Sequence, residues 1–400
     1  MPEQISYLTG PPEILEHDLK QYFSELLSFG STPEMESAAI WQQVRSEAER
    51  ILGSTVVENL AEGNDGSGGD VIRTLAWNIE RGCRFEGILN ALKENPDLKD
   101  KDLLLLTELD HGMIRSGNRF VAQEIARELK LNYAFAPVYI ALQKGSGVES
   151  AIEGENAGSI HGLAMFSKWQ MNAVHTVALP NGKDKMWGKE KRLGWLRALI
   201  ADIEHPAGTF RAVTVHLDAH CSRAHRRKQM GIIMDHLAAL PPLPTLIGGD
   251  WNTTTFNSQN STRAIMGYWR RVLMGPKNVA LNHLPHPERF FEKKLFNDIE
   301  RRGYRYKDLN QLGAGTLHYE IGNIEKNTNL RDWVPEWCFP FIFWAAGRVG
   351  GKVSGRLDWF AGKGLRPAGP DAVKTIGELA DDENIPLSDH DAISLDMILD

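Results

Sequence analysis

Apolar residues recur at helical spacing near the start of the chain. Ile14, Leu15, Leu19, Tyr22, Phe23, Leu26 and Leu27 form one stripe over residues 12–28, opened by Pro11 and Pro12. Ile40, Trp41, Val44, Ala48 and Ile51 form a second, which predicts a helix over about 31–52. Ser31 is its candidate cap, and Glu34 could close a capping box. The run from Glu62 to Gly69, rich in Gly, Asn, Asp and Ser, has the composition of a flexible linker. Residues 1–60 therefore read as a helical extension, a hairpin tethered to the rest of the chain through a Gly-rich linker at 61–70.

From residue 71 the texture changes. Short apolar runs predict strands at 71–79, 102–109, 133–141, 162–167, 173–178, 196–203, 209–216, 244–247, 356–360 and 392–398. Helical patterns fall at 85–93, 121–129 and 223–240. Several strands follow one another with only turns between, which points to an α+β layered domain built on antiparallel sheets over 71–400. The segment 254–355 is too long for a simple connection and reads as an insertion or lid. One helix is expected in it, at 287–302, with Phe290, Phe291, Leu295, Phe296 and Ile299 as its stripe; the remainder reads as irregular.

Composition narrows the partners. The chain has 400 residues, with Lys+Arg 45 against Asp+Glu 52 and a formal net charge of −7. That balance argues against a broad cationic surface that coats DNA, though it leaves room for a local basic cleft. Cys83, Cys221 and Cys338 are scattered, with no CxxC, so neither a disulfide framework nor a zinc ribbon is on offer. The longest greasy stretch, 337–346, is interrupted by Pro340 and too short to span a bilayer. Without a basic segment leading into an apolar one at the N-terminus, a cytoplasmic enzyme is the expectation.

Polar residues stranded at the ends of apolar strands are the candidate chemistry. Asn78 follows Thr74-Leu75-Ala76-Trp77, and Glu108 follows four leucines and Thr107. His216 closes Ala212-Val213-Thr214-Val215. Asp250 and Asn252 sit in Gly248-Gly249-Asp250-Trp251-Asn252, and Asp389 and His390 in Ser388-Asp389-His390-Asp391. Strand ends are rigid yet accessible, so such residues can converge. Carboxylates, amides and imidazoles without thiolates suit Mg²⁺ or Mn²⁺, whose remaining positions go to water and phosphate oxygens.

Seven segments then occur in order: Leu75-Ala76-Trp77-Asn78-Ile79, Leu105-Leu106-Thr107-Glu108-Leu109-Asp110, His161-Gly162-Leu163-Ala164-Met165-Phe166-Ser167, Val213-Thr214-Val215-His216-Leu217, Gly249-Asp250-Trp251-Asn252, Gly355-Arg356-Leu357-Asp358-Trp359 and Ser388-Asp389-His390. This series resembles the endonuclease/exonuclease/phosphatase superfamily, the DNase I-like fold. The resemblance implies a four-layer α/β/β/α sandwich with the site at one sheet edge. It implies Glu108 as principal metal ligand, assisted by Asn78 and Asp389. Asp250 and Asn252 would orient the attacking water and the phosphate. His390 would activate water or contact phosphate, with Asp358 as its orienting carboxylate, and His216 would bind phosphate or protonate the leaving oxygen. The carboxylate partner of His216 is not identifiable from sequence, and neither Asp250 nor His390 is singled out as the base.

Departures exclude some subfamilies. Leu163 stands where a polar residue usually follows the glycine of its strand. The tyrosine motif of abasic-site endonucleases is absent, as is the Trp-Cys-Asp-Arg of inositol-polyphosphate 5-phosphatases, which Gly355-Arg356-Leu357-Asp358 replaces.

Each residue also has a structural reading: Asn78 as a turn residue, Asp250 as an Asx turn, His216 as a core histidine, Asp358 as a partner of Arg356. Arg223, Arg226, Arg227 and Lys228 could be a solvated helix face or a phosphate-contacting rim. His216-Leu217-Asp218-Ala219-His220 has the look of a metal-binding HxDxH, but no further histidine cluster accompanies it. Trp337, Phe339, Phe341, Phe343 and Trp344 read as the insertion's own small core, with a membrane-interface wedge or a substrate-stacking wall as the alternatives, and 145–158 as a flexible loop. The expectation is a Mg²⁺-dependent phosphoester hydrolase, a phosphodiesterase in the first instance. The rivals are a DNA or RNA nuclease, a lipid or sugar-phosphate hydrolase, and a non-catalytic scaffold of the same fold.

Overall fold

Two sheets face each other in the computed structural model, which describes residues 5–6, 8–62, 69–253, 261–320, 344, 347–348 and 352–400. The larger has ten strands. Along it run Leu365–Pro367, Ala392–Leu399, Ile72–Arg81, Leu103–His111, Ile160–Ser167, Asn132–Ala141, Ser54–Glu58 and Leu8–Gly10, with Val373–Ile376 and Arg192–Gly194 pairing at the sides. The smaller has six: Ile5–Ser6, Met171–Ala178, Arg197–His205, Gly208–His216, Thr245–Asp250 and Asp358–Lys363.

Side-chain alternation explains the layers. Ala76, Leu103, Leu105 and Met165 of the large sheet meet Leu199, Ala212, Leu246 and Phe360 of the small one in the central core. On the large sheet's other face, Leu75, Trp77, Leu104, Leu106 and Phe166 pack against helices Ala39–Gly53, Phe85–Glu94 and Val121–Leu129. Helices Arg223–Ala239 and Lys293–Arg301 cover the small sheet through Met230, Ile233, Phe296 and Ile299. The order is helix, sheet, sheet, helix: the four-layer α+β sandwich.

Topology fixes where the polar strand ends meet. Ile72–Arg81 and Leu103–His111 are parallel, joined by the crossover helix Phe85–Glu94. Gly208–His216 and Thr245–Asp250 are parallel, joined by Arg223–Ala239. A parallel pair brings both carboxyl ends to one edge, so Asn78 lies level with Thr107, and His216 with Asp250. Antiparallel neighbours deliver their starts to the same edge: Asp358 opposes Asp250, and Ile393 opposes Ala76. Seven of the eight polar residues singled out from sequence thus lie at or beside matched strand termini, and Asn252 follows two residues beyond Asp250.

The strands and helices expected between 71 and 251 all occur, with ends shifted by a few residues. The N-terminal segment differs. In place of a continuous helix at 12–28 there are 3₁₀ turns at Pro12–Leu15 and Leu19–Tyr22 and one α-turn at Phe23–Leu26. His17 competes locally, its Nδ1 accepting from the Leu19 amide at 3.2 Å. The helix expected at 31–52 breaks at Ala38, which is extended, into Thr32–Ser37 and Ala39–Gly53. Ser31 caps as expected, but Glu34 reaches the Gly30 amide (2.7 Å) instead of the cap's own. Nor is this piece a tethered hairpin: Ser54–Glu58 pairs with Asn132–Ala141 and extends the large sheet. Of the linker, residues 63–68 lie outside the described residues.

The insertion contains more order than its composition suggests. Its expected helix starts late, at Lys293, because residues 287–292 form turns. A second helix, Ser261–Met274, replaces part of the expected irregular stretch; Ile265, Tyr268, Trp269, Val272 and Leu273 recur there at helical spacing, and Met266, Trp269 and Leu273 are exposed. Strands Leu317–Glu320 and Lys352–Gly355 pair antiparallel, and Leu317 bridges to His390 at the site. Residues 336–343 of the aromatic cluster lie outside the described residues, and Trp344 is half-exposed beside Arg348. The 145–158 loop is also tied down, with a 3₁₀ turn at Gly147–Ala151 whose Glu149 pairs with Arg81 at 2.5 Å.

The basic start of helix Arg223–Ala239 is divided: Arg223 and Lys228 are exposed, as a solvated face would be, whereas Arg226 turns inward. Arg226 is fully buried, its guanidinium bonded to Glu292 Oε1 at 2.6 and 3.0 Å, and Arg227 pairs with Asp298. Arg226 therefore joins the insertion to the small sheet's helix layer. Removing one partner of a buried pair leaves the other charge uncompensated. Arg226→Met is expected to lower unfolding free energy by about 3–5 kcal/mol, read from urea denaturation; a loss below about 1 kcal/mol, the value of an exposed pair, would mean the pair is not structural.

Candidate functional site

The backbone at the site is shaped for side-chain placement. Among the described residues, Glu80, Arg81, Glu108 and Asn252 have positive φ (43°, 68°, 57° and 49°), a region costly for residues with a Cβ. The ladder registers break between Asn78 and Arg81 and between Thr107 and Leu109. Glu108 is thus a bulge residue, turned out of the regular pleat. Gly249, at φ 130°, precedes Asp250 where an added Cβ would lie 2.2 Å from the Val215 carbonyl. Only glycine lets the two strands approach there.

Asp250 is the hub. Its Oδ1 accepts from the Asn252 amide at 2.8 Å, and its Oδ2 accepts from Asn252 Nδ2 and Asn78 Nδ2, each at 3.2 Å. His216 Nε2 stands 3.5 Å and His390 Nε2 3.9 Å from the same Oδ2. Asn78 also donates to Glu108 Oε1 at 3.2 Å, linking the two sheets. Asn252 Nδ2 reaches the Leu217 carbonyl at 2.9 Å. His390 Nδ1 lies 2.8 Å from Asp358 Oδ2, and Asp358 is fully buried. Arg356 is not its partner; that guanidinium donates to Gln311 O, Ala314 O and Asn310 Oδ1.

Electrostatics separates the roles. Burial opposes the charge on His390, but Asp358, then Asp250 and Asp389, outweigh it and hold the imidazole protonated well above its usual range. Burial pushes Asp250 up to about 6, with Asp358 adding to burial and His390 and His216 opposing it. Glu108 runs the other way: burial is overcome by Arg81, His216, His161 and the Asn78 amide, and its carboxyl is held at about 2. His216, without an assigned partner from sequence, stands between Asp250 and Glu108, 3.9 Å from Glu108 Oε1.

The oxygen donors around Glu108 suit a hard divalent cation. Asp389 lies beside Glu80, its amide donating to Glu80 Oε2 at 3.2 Å. Burial and then the Asp389 charge push Glu80 up to about 8. Burial and the Glu108 charge raise Asp389 against the opposing pull of His390. Crowded carboxylates that raise one another's proton affinity are what a bound cation relieves. Asn78 Oδ1 accepts from the Glu80 amide at 3.1 Å, while its nitrogen serves the carboxylates. Asp250, Asp358 and His390 also bring ligand-type atoms within 4.8 Å of one another. There, however, Nδ1 of His390 is engaged by Asp358.

Sequence reasoning passes over several participants. Asp110, within a quoted segment, binds His161 Nδ1 at 2.8 Å and Arg115 at 2.7 and 3.0 Å, all three buried. Arg81 stands 3.8 Å from Glu108. Their positions beside Asn78 and Glu108 are the available signal. Asp218 of the HxDxH-like run serves the loops instead, accepting from Gly182 N and His220 N at 2.6 and 2.7 Å.

Thr316 gives no signal at all. It is buried, its Oγ1 accepts from the Leu357 and Asp358 amides (3.0 and 3.2 Å), and its carbonyl accepts from Asp391 N at 2.7 Å. It braces both halves of the Asp358–His390 pair. Thr316→Val is expected to cost about 1–3 kcal/mol of stability by orphaning buried amides, and Thr316→Ser to stay near the parent. Equal urea midpoints for valine and serine would contradict this bracing.

Neither a scan of known protein families nor a search of curated proteins gives a match to this sequence. Among solved structures, the chain is similar to an endonuclease/exonuclease/phosphatase from Beutenbergia cavernae (14% identity over 83% of this chain and 72% of that one, TM-score 0.46). It is similar to one from Bacteroides vulgatus (14%, 83% and 100%, 0.44) and to the human Nocturnin catalytic domain with bound sulfate (15%, 83% and 94%, 0.44). On its own layers and strand order, the chain is an α/β/β/α sandwich with its polar strand ends gathered at one edge.

Proposed function

We propose that the protein is a divalent-metal-dependent phosphoester hydrolase of the endonuclease/exonuclease/phosphatase superfamily, acting on phosphodiesters. One observation carries the reading. Asn78 and Glu108 from one sheet, and His216 and Asp250 from the other, meet within hydrogen-bonding or ion-pair range, beside an Asp358–His390 pair. A scaffold that had lost catalysis would have no need to keep strained backbone and a buried charge hub at the same edge.

Glu108 and Asp389 would hold Mg²⁺ or Mn²⁺, with Glu80 beside them and Asn78 orienting the carboxylates. Such a cation, when bound, supplies Lewis-acid polarisation of the phosphoryl oxygens. Asp250, fixed by the Asn252 and Asn78 amides, takes a proton from the attacking water. The elevated proton affinity of Asp250, fixed by two amides beside a protonated His390, supports Asp250 as the base. His390, held protonated by Asp358, donates to a phosphoryl oxygen as negative charge develops. His216, between Asp250 and Glu108, is positioned for a phosphate oxygen or the leaving oxygen.

The test is hydrolysis of bis-p-nitrophenyl phosphate and p-nitrophenyl phosphate with Mg²⁺ or Mn²⁺. The diester is expected to turn over faster than the monoester, and Glu108→Ala and His390→Ala to lose at least ~100-fold in rate, the scale of losing a positioned proton-transfer group. Inactive parent protein, or variants as fast as the parent, would overturn the catalytic reading.

A further inference from the structure

The insertion concentrates the exposed apolar surface of the molecule. Among the described residues nine large apolar side chains are exposed, and six of them, Met266, Trp269, Leu273, Leu281, Phe290 and Trp344, lie between 261 and 344. Met266, Trp269 and Leu273 stand three and four residues apart in helix Ser261–Met274, so they share one face, and Leu273 is 87% exposed. Ile265 and Val272 of the same helix are half-buried and seat it on the fold along a neighbouring stripe. Single exposed apolar residues are ordinary, but several on one face mark an interaction surface. Adjoining segments continue it. Arg270 lies 5.8 Å from the Phe291 ring centroid, and His283 meets the exposed Phe290 edge-on at 4.1 Å.

The charge of this surface has one sign. No acidic residue occurs between Asp250 and Glu288, whereas Arg263, Arg270, Arg271 and Lys277 do, in a chain of net charge −7. Arg263 and Arg270, seven residues apart, follow one edge of the apolar face, and both are exposed, as is Lys277. Among the described residues neither Arg270 nor Lys277 pairs with a carboxylate. The cations are therefore turned outward beside an apolar face, a placement that neither the core nor the catalytic edge uses.

We propose that this face of the insertion docks on an anionic lipid surface. Met266, Trp269 and Leu273 enter the boundary between headgroups and acyl chains, and Arg270 and Lys277 lie against the lipid phosphates and carboxylates. An apolar helix face edged by cations is the combination that lies in a membrane interface, and each cation near such a surface adds to the attraction. A second copy of the chain would set the same arginines against one another. A protein groove that wraps a basic helix needs the helix free on most sides, and Ile265 and Val272 hold this one to the fold. Nucleic acid would answer the cations but leave Met266 and Leu273 in water. None of these residues belongs to the catalytic edge, so the proposal stands apart from the phosphodiesterase reading.

The test is co-sedimentation of the full chain with vesicles of phosphatidylcholine alone and with phosphatidylserine added. Binding is expected to the mixed vesicles, to fall as salt rises, and to be lost with phosphatidylcholine alone. Leu273→Glu is expected to weaken binding to mixed vesicles by about 10- to 100-fold, the scale of one leucine no longer buried. Arg270→Gln is expected to weaken it by about 5-fold, as for one cation near the surface. Leu273 is already exposed, so the urea midpoint of Leu273→Glu is expected to match the parent's, which separates lost docking from lost folding. Four outcomes would overturn the proposal: no binding to the mixed vesicles, binding that Leu273→Glu leaves unchanged, equal binding with and without phosphatidylserine, or a dimer in sedimentation equilibrium that Leu273→Glu dissociates while the vesicles stay unbound.

Discussion

The contact between Asn78 and Asp250 is the constraint on which the rest of the site depends. One amide nitrogen at the end of a large-sheet strand serves Asp250 of the small sheet and Glu108 of its own. It can do so only while the two sheets face each other at their observed spacing. The apolar inner faces supply that spacing, and the two parallel pairs bring both carboxyl ends to one edge. Hydrogen bonds to a carboxylate are the strong kind, and an unmet partner in a buried site is expensive. Sheet packing and site geometry are therefore coupled: a shift of one sheet along the other separates Asn78 from Asp250.

Charge is distributed about this hub in opposite senses. Towards Glu108 the surroundings are cationic through Arg81, and the carboxylate stays ionised; towards Asp389 and Glu80 carboxylates crowd and bind protons more readily. Across the hub, Asp358 keeps His390 charged. Neighbouring titratable groups pushed in opposite directions are how a site divides the roles of acid and base. Backbone strain accompanies the division, since Glu80, Arg81, Glu108 and Asn252 all sit at positive φ. Thr316, from the inserted segment, braces the Asp358 end, so that segment takes part in the site as well as covering the fold.

Much of this is legible in the sequence, for physical reasons. Apolar strands with a period of two and helices with a stripe declare themselves between 71 and 251, and the polar residues at their ends name most of the site. What escapes is marked weakly or not at all. The helix Ser261–Met274 carries apolar residues at helical spacing, Ile265, Trp269, Val272 and Leu273, inside a segment whose charge and aromatics read as irregular. The N-terminal stripe reads as helix although His17 and Ala38 interrupt it, and strand Ser54–Glu58 goes unmarked between helix and linker. Arg226 looks like a surface charge because its partner Glu292 lies sixty-six residues away. Thr316 acts through one hydroxyl and one carbonyl, and no spacing rule marks such a residue.

The central claim is that these strand ends assemble a cation-dependent phosphodiester site. It is tested most directly by measuring bis-p-nitrophenyl phosphate hydrolysis with chelator-stripped protein as Mg²⁺ or Mn²⁺ is added back. The account predicts no turnover in the stripped protein and saturable recovery as either cation is restored. Turnover that is the same with and without cation, or no recovery at any concentration, would contradict it.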